Sequence, residues 1–92
     1  MFKEVLSGLI ESSDGFTVDN RGHFDLKYIE ADHVASFHVE IASVGYLYFL
    51  DGEVRWNPPF SSERIPFEKQ EQIKDRIIEA LRFRGFEFSL SR

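Results

Sequence analysis

The stretch RWNPPF, residues 55–60, divides the chain into a strand-rich part before it and a helical part after it. Trp56 and Val54 are two residues apart, and this spacing predicts that both side chains lie on one face of a strand. Asn57 precedes a proline and is therefore expected to be extended. The two prolines that follow are expected to form a stiff polyproline segment without backbone donors. The stretch therefore predicts the point at which the chain leaves a sheet.

The residues before this stretch alternate between apolar and polar side chains in short runs, which is typical of antiparallel strands. The run 46–50 is apolar at every position, as expected for a central strand covered on both faces. Asp51-Gly52 is a favoured hairpin dipeptide. The predicted strands are residues 16–18, 24–28, 37–41, 46–50 and 53–56, with turns at 14–15, 20–22, 30–33 and 51–52.

The residues after this stretch predict one helix and a final strand. Pro66 suits the first turn of a helix and Gly85 suits the residue just after its end. Residues 86–90 alternate strictly and predict a last strand. The apolar stripe of the helix consists of Phe67, Ile73, Ile77, Ile78 and Leu81.

The first residues also show helical spacing. Apolar residues at positions 2, 5, 6, 9 and 10 predict a short amphipathic helix over residues 2–12. The expected fold is therefore α+β in a single domain of residues 1–92. It has an antiparallel sheet of five to six strands, a short N-terminal helix and a longer helix near the C-terminus.

Composition excludes several classes of protein. The chain has no cysteine, which removes disulfides, thiolate metal sites and cysteine nucleophiles. Residues 1–15 lack the uninterrupted apolar stretch of a signal peptide, and no run approaches the ~20 apolar residues of a transmembrane helix. We therefore expect a cytoplasmic protein that does not insert into membranes.

The negative charge is concentrated in the middle of the chain. The net charge is −5, and residues 14–53 carry eight acids against two bases. A field of this sign repels nucleic acid and attracts basic partners. The helix carries both signs, and the alternation predicts an ordinary salt-bridged outer face. Its charged residues are Glu68, Lys69, Glu71, Lys74, Asp75, Arg76, Glu79, Arg82 and Arg84.

Catalysis is not expected from the residue pattern. His38 and Glu40 are the one histidine–acid pair with suitable strand spacing, and a metal site needs three or four converging ligands. No glycine-rich phosphate loop is present, and we expect no metal and no cofactor. A small enzyme or ligand-binding domain that uses His38 and Glu40 is the third hypothesis, after the two given below.

Two aromatic residues each allow two interpretations. Trp56 either caps the core or is an anchor presented to a partner, since tryptophan is enriched in binding hot spots. Phe83 lies off the apolar stripe of the helix. Either the last helical turn unwinds and folds Phe83 over the sheet, or Phe83 is a self-association contact.

Part of the sequence resembles a known family. The residues are Val39-Glu40-Ile41, Tyr46, the exit Trp56-Asn57-Pro58-Pro59 and the isoleucine-rich helix that ends at Gly85. Over residues 24–90 this arrangement is similar to small bacterial immunity proteins of polymorphic-toxin and contact-dependent inhibition systems. The resemblance implies architectural roles for Glu40, Trp56, Pro58 and Pro59. It implies binding to a cognate toxin, often a basic nuclease, which an acidic partner would match.

The leading hypothesis is therefore a toxin-neutralising protein that acts by stoichiometric binding. The expected toxin contacts are the acids in the turns of the acidic segment, Glu30, Asp32, Asp51 and Glu53. The alternative is a small structural or adaptor domain that forms a weak homodimer through Phe83 or the last strand.

Overall fold

A computed structural model of the chain describes residues 1–22, 25–41, 46–49, 54–85 and 89–90. In these ranges the chain forms seven strands and one helix. The strands are β1 (Phe2–Leu6), β2 (Leu9–Ser12), β3 (Phe16–Gly22), β4 (Asp25–Glu30), β5 (His33–Ile41), β6 (Tyr46–Phe49) and β7 (Ser89–Leu90), and the helix is α1 (Phe67–Phe83).

Strands β1 to β5 form an antiparallel sheet in which each strand pairs with the next in the sequence. The C-terminal part of β5 pairs with β6 in antiparallel fashion, and β6 pairs with β7 in parallel. The prediction of an α+β fold with an antiparallel sheet and a helix near the C-terminus is confirmed. No helix among the described residues is long and apolar enough to cross a membrane.

The predicted N-terminal helix is wrong, because residues 2–12 form the β1–β2 hairpin. Gly8 has a φ of 87°, which a glycine adopts without steric cost, and its carbonyl accepts a 2.6 Å hydrogen bond from the Asn20 amide. Strand β2 pairs with β3 and buries Ile10 completely. A helix of this length is marginal in water, and pairing with β3 satisfies the backbone better. Val5 and Leu6, which helical spacing assigned to a core face, are exposed.

The RWNPPF stretch also differs from its prediction. Residues 54–57 are not in a strand, although Val54 and Trp56 are both buried. Asn57 is fastened to β5 by a 2.6 Å hydrogen bond from its amide to the Val34 carbonyl. The peptide bond between the two prolines is cis, and residues 57–60 form a turn closed by a 3.0 Å bond from the Phe60 amide to the Asn57 carbonyl. The prediction of an extended polyproline segment is therefore wrong, because the chain reverses here.

The helix buries the predicted stripe with one exception. Phe67 is 73% exposed, and Ile65, two residues earlier, is buried in the core in its place. The helix ends as predicted, with Gly85 at a φ of 101° directly after the cap. The buried face consists of Ile73, Ile77, Ile78, Ala80 and Leu81.

Alternate residues of β3, β4 and β5 make the other half of the core. Tyr28 and Phe37 are the largest fully buried side chains, and Trp56 stacks on Tyr28 with ring centroids 6.4 Å apart. The opposite face of these strands carries exposed polar residues such as Lys27, Ser36 and His38. The sheet therefore has one apolar face toward α1 and one polar face.

Candidate binding surface

The charged residues of α1 are sorted by sign around the helix. Its four partly buried bases, Lys69, Lys74, Arg76 and Arg84, make contacts with the sheet or the N-terminal hairpin. Three of its acids, Glu68, Asp75 and Glu79, are exposed and lie on the opposite side of the helix. A salt bridge along the helix is present between Lys74 Nζ and Glu71 Oε2, 3.9 Å apart, but most of the positive charge turns inward.

Two of these bases join the helix to Glu30 at the end of β4. Lys69 Nζ lies 2.8 Å and Arg76 Nη1 lies 2.9 Å from Glu30 Oε1. Arg76 Nη1 also donates a 2.8 Å hydrogen bond to the Tyr28 hydroxyl oxygen, and that hydroxyl donates to Glu30. The guanidinium lies over the Phe16 ring, 4.7 Å from its centroid.

This network shifts the pKa of both acidic groups. Burial and the hydrogen bond to Glu30 raise the pKa of Tyr28 to about 12, against the opposing effect of Arg76. Partial burial alone would raise the pKa of Glu30, but the hydrogen bonds from Lys69 and Tyr28 outweigh it and the pKa is lowered. Glu30 is therefore a charged residue with its countercharges already in place.

The other two bases are held at the two ends of the sheet. Lys74 Nζ lies 5.7 Å from the ring centroid of Phe49 on β6. Arg84 Nε donates a 3.0 Å hydrogen bond to Glu4, and its Nη2 lies 3.3 Å from the Ser7 hydroxyl. Each contact places positive charge beside the sheet and removes it from the outer face of the helix.

The outer face of α1 presents a stripe of three exposed acids, Glu68, Asp75 and Glu79, with the exposed amide Gln72 among them. We call these four residues the acidic ridge. At 100° per residue they fall within about 60° of one another, and at 1.5 Å per residue the ridge is about 16 Å long. Arg82 is the exposed base at its C-terminal end.

The sequence-predicted contact residues lie in different environments. The Asp32 side chain is 76% exposed in the turn between β4 and β5. Glu30 is tied to α1 and only partly exposed, which makes it a poor contact for a partner. Asp51 and Glu53, together with the predicted hairpin at 51–52, lie outside the described residues.

Asp32 belongs to a second cluster, centred on His33. Asp32 Oδ1 lies 2.9 Å from His33 Nδ1, and both carboxylate oxygens of Glu63 lie 3.1 Å from His33 Nε2. The imidazole is stacked on Phe60, with centroids 3.8 Å apart, and lies edge-on to Trp56. The cluster connects the β4–β5 turn to the segment after the two prolines.

The predicted pair His38 and Glu40 lies on strand β5. Both are exposed on the polar face of β5, and His38 Nε2 lies 3.2 Å from Asp25 Oδ1 on β4. Within the described residues no three histidines or acids are grouped as metal ligands.

Phe83 is in the last turn of a helix that continues through it, so the predicted unwinding is wrong. The side chain is 49% exposed and packs on Phe2 of β1, with ring centroids 5.6 Å apart. Trp56 is buried, whereas Pro58 and Pro59 are exposed in the turn below it.

The acidic ridge was missed in the sequence because charges were counted along the helix and not around it. At 100° per residue the four bases that turn inward lie within about 100° of the centre of the buried face, and the ridge acids lie on the opposite side. A helical wheel of residues 67–84 contains this signal.

Comparisons of the chain with protein families, curated proteins and solved structures found no match.

Proposed function

We propose that this chain is a toxin-neutralising immunity protein that binds a basic toxin domain, such as a nuclease, and blocks it by forming a stoichiometric complex. The observation that supports this proposal most is the sorting of charge on α1. Acids occupy the exposed ridge, while four bases of the same helix are used against the sheet and the hairpin.

This arrangement suits docking to a positive surface. Exposed acids on a rigid helix raise the rate of encounter with a basic partner and disfavour acidic ones. The helix is packed on the sheet through five buried residues, so the ridge is held in one orientation before a partner arrives. A preorganised surface loses less conformational entropy on binding.

A survival assay tests the proposal. The C-terminal part of the protein encoded immediately upstream would be expressed in cells with and without this chain. We expect cells that express the upstream fragment alone to die, and cells that also express this chain to survive. A neighbour that is harmless, or that kills despite this chain, would remove the main support for the immunity function.

A charge-reversal variant then tests the ridge itself. Three substitutions, Glu68→Lys, Asp75→Lys and Glu79→Lys, move the net charge from −5 to +1. The matched control reverses three exposed acids on the polar face of the sheet, Glu11→Lys, Asp25→Lys and Glu40→Lys, with the same change in net charge. We expect the ridge variant to lose protection and the control to keep it. The reverse result would place the docking surface on the sheet.

A weak homodimer is the second candidate function, favoured by the half-exposed Phe83 beside Phe2. Strand β1 lies at one end of the order of described strands, but its pairing with β2 is interrupted between Glu4 and Leu6, and it carries Lys3. A bulge and a lysine both oppose pairing with another strand edge. Dimerisation would therefore use the pair Phe2 and Phe83. Sedimentation tests this by comparing the oligomeric state of Phe83→Ser with that of the unmodified chain.

A further inference from the structure

His33 has both ring nitrogens directed at carboxylates. Nδ1 lies 2.9 Å from Asp32 Oδ1, and Nε2 lies 3.1 Å from each oxygen of Glu63. A neutral imidazole has one N–H, so one of its nitrogens would turn a lone pair toward a negative oxygen. Only the imidazolium donates a hydrogen bond on both sides.

The other surroundings of the ring agree with a cation. His33 is stacked on Phe60 and lies edge-on to Trp56, and the face of an aromatic ring attracts positive charge. Glu30, the register partner of His33 on β4, is bonded to Lys69 and Arg76, so its charge is already compensated. The carboxylates that face the imidazole directly are those of Asp32 and Glu63.

The segment that carries Glu63 has two kinds of attachment to the sheet. Asn57 fastens its start without any titrating group, through a bond to the Val34 carbonyl and a 2.9 Å bond from its side-chain amide to the Ser36 hydroxyl. Residues 60–63 are joined to the β4–β5 turn through His33. The contact between His33 and Glu63 depends on a proton, whereas the Asn57 bonds and the packing of Phe60 against the core do not.

We propose that protonated His33 is a pH-dependent clamp that fastens residues 60–63 to the β4–β5 turn, and that loss of its proton releases them. The direction of the pKa agrees with this geometry. Partial burial alone would lower the pKa of His33, but the hydrogen bonds to Glu63 and Asp32 outweigh it and the pKa is raised. The attachment is therefore complete below the ordinary histidine pKa of about 6.5 and is lost as the pH rises through the raised value.

Nitrogen-15 NMR of the histidine rings, with amide hydrogen exchange of the full chain, tests the clamp. At pH 6.5 we expect both His33 nitrogens to carry protons. Exchange protection at residues 60–63, corrected for the intrinsic rate, should fall as His33 titrates, while protection at Asn57 stays constant. A singly protonated ring at pH 6.5, or protection at 60–63 that does not follow the titration, would overturn the proposal.

Two variants and a control make the result specific. Glu63→Gln removes one facing charge and should lower the titration midpoint of His33. His33→Gln should make the protection at 60–63 independent of pH. His38→Gln changes an exposed histidine on the polar face of the same strand and should leave both observations as they are in the unmodified chain. A His33 midpoint that does not move in Glu63→Gln would contradict the clamp even if His33→Gln fails to fold.

Discussion

Arg76 Nη1 lies 2.9 Å from Glu30 Oε1, and this contact joins the middle of α1 to the end of β4. The same guanidinium donates to the Tyr28 hydroxyl, and Lys69 completes the network from one end of the helix. The network holds the helix against the sheet and turns two of its positive charges away from solvent. The acidic character of the outer helix face is therefore a consequence of how the helix is attached.

Glu30→Gln should destabilise the fold, because Arg76 and Lys69 would lose their charged partner in a partly buried site. We expect a loss of about 1–3 kcal/mol in the free energy of unfolding, measured by urea denaturation. Glu79→Gln removes the same charge from an exposed position of the helix and should change stability by less than about 0.5 kcal/mol. Equal effects of the two substitutions would mean that the network contributes nothing to stability.

Tyr28 should titrate far above an ordinary tyrosine. Its pKa is raised to about 12 by burial and by the hydrogen bond to Glu30. The folded pKa is above the unfolded value of about 10. The contribution of neutral Tyr28 to the stability of the fold is therefore complete below about pH 10 and is lost as the pH rises toward 12. An alkaline absorbance titration should show a late phase that Tyr28→Phe removes. If the variant titrates like the unmodified chain, Tyr28 is not the group held neutral.

Trp56→Ala should cost about 3–5 kcal/mol, because it removes a buried aromatic side chain that packs on Tyr28 and His33. Trp56→Phe keeps part of the volume and should cost less. Thermal and urea unfolding measure both losses. A side chain that served only as an anchor for a partner could be removed with stability unchanged, and that outcome would contradict its place in the core.

Ala31→Gly should stabilise the β4–β5 turn. Ala31 has a φ of 55°, which costs a residue with a Cβ about 1–2 kcal/mol. Glycine avoids that cost and loses about 0.4–1 kcal/mol through the greater entropy of its unfolded state. We expect a net gain of about 0.5–1 kcal/mol in unfolding free energy. Ala31→Val, with a branched side chain, should be destabilising, and a gain with valine would show that the backbone is not strained here.

Local patterns predicted the parts of the fold that depend on local residues. The stripe from Ile73 to Leu81 lies on one face of α1, and Gly85 follows its end, because helical period and cap chemistry act within a few residues. The turn between β4 and β5 also falls at residues 31–32, as the polar run there indicated.

Long-range contacts determine the parts of the fold that the sequence patterns predicted wrongly or missed. Residues 2–12 have helical spacing, but Ile10 pairs with Val18 on β3, and no local signal specifies that partner. Phe67 fits the stripe of the helix, yet Ile65 occupies the core at that end. The ridge and the His33 cluster depend on residues far apart in sequence, since His33 and Glu63 are 30 positions apart.

The most direct test of the central claim is the association rate between this chain and the toxin domain identified by the survival assay. It would be measured by stopped flow at several salt concentrations for the unmodified chain, the ridge variant and the sheet-face control. We predict that reversing Glu68, Asp75 and Glu79 lowers the rate by about 10- to 100-fold at low salt, and that the difference shrinks as salt is added. The control should remain fast. A rate for the ridge variant equal to that of the unmodified chain, or a rate that does not depend on salt, would contradict docking through the acidic ridge.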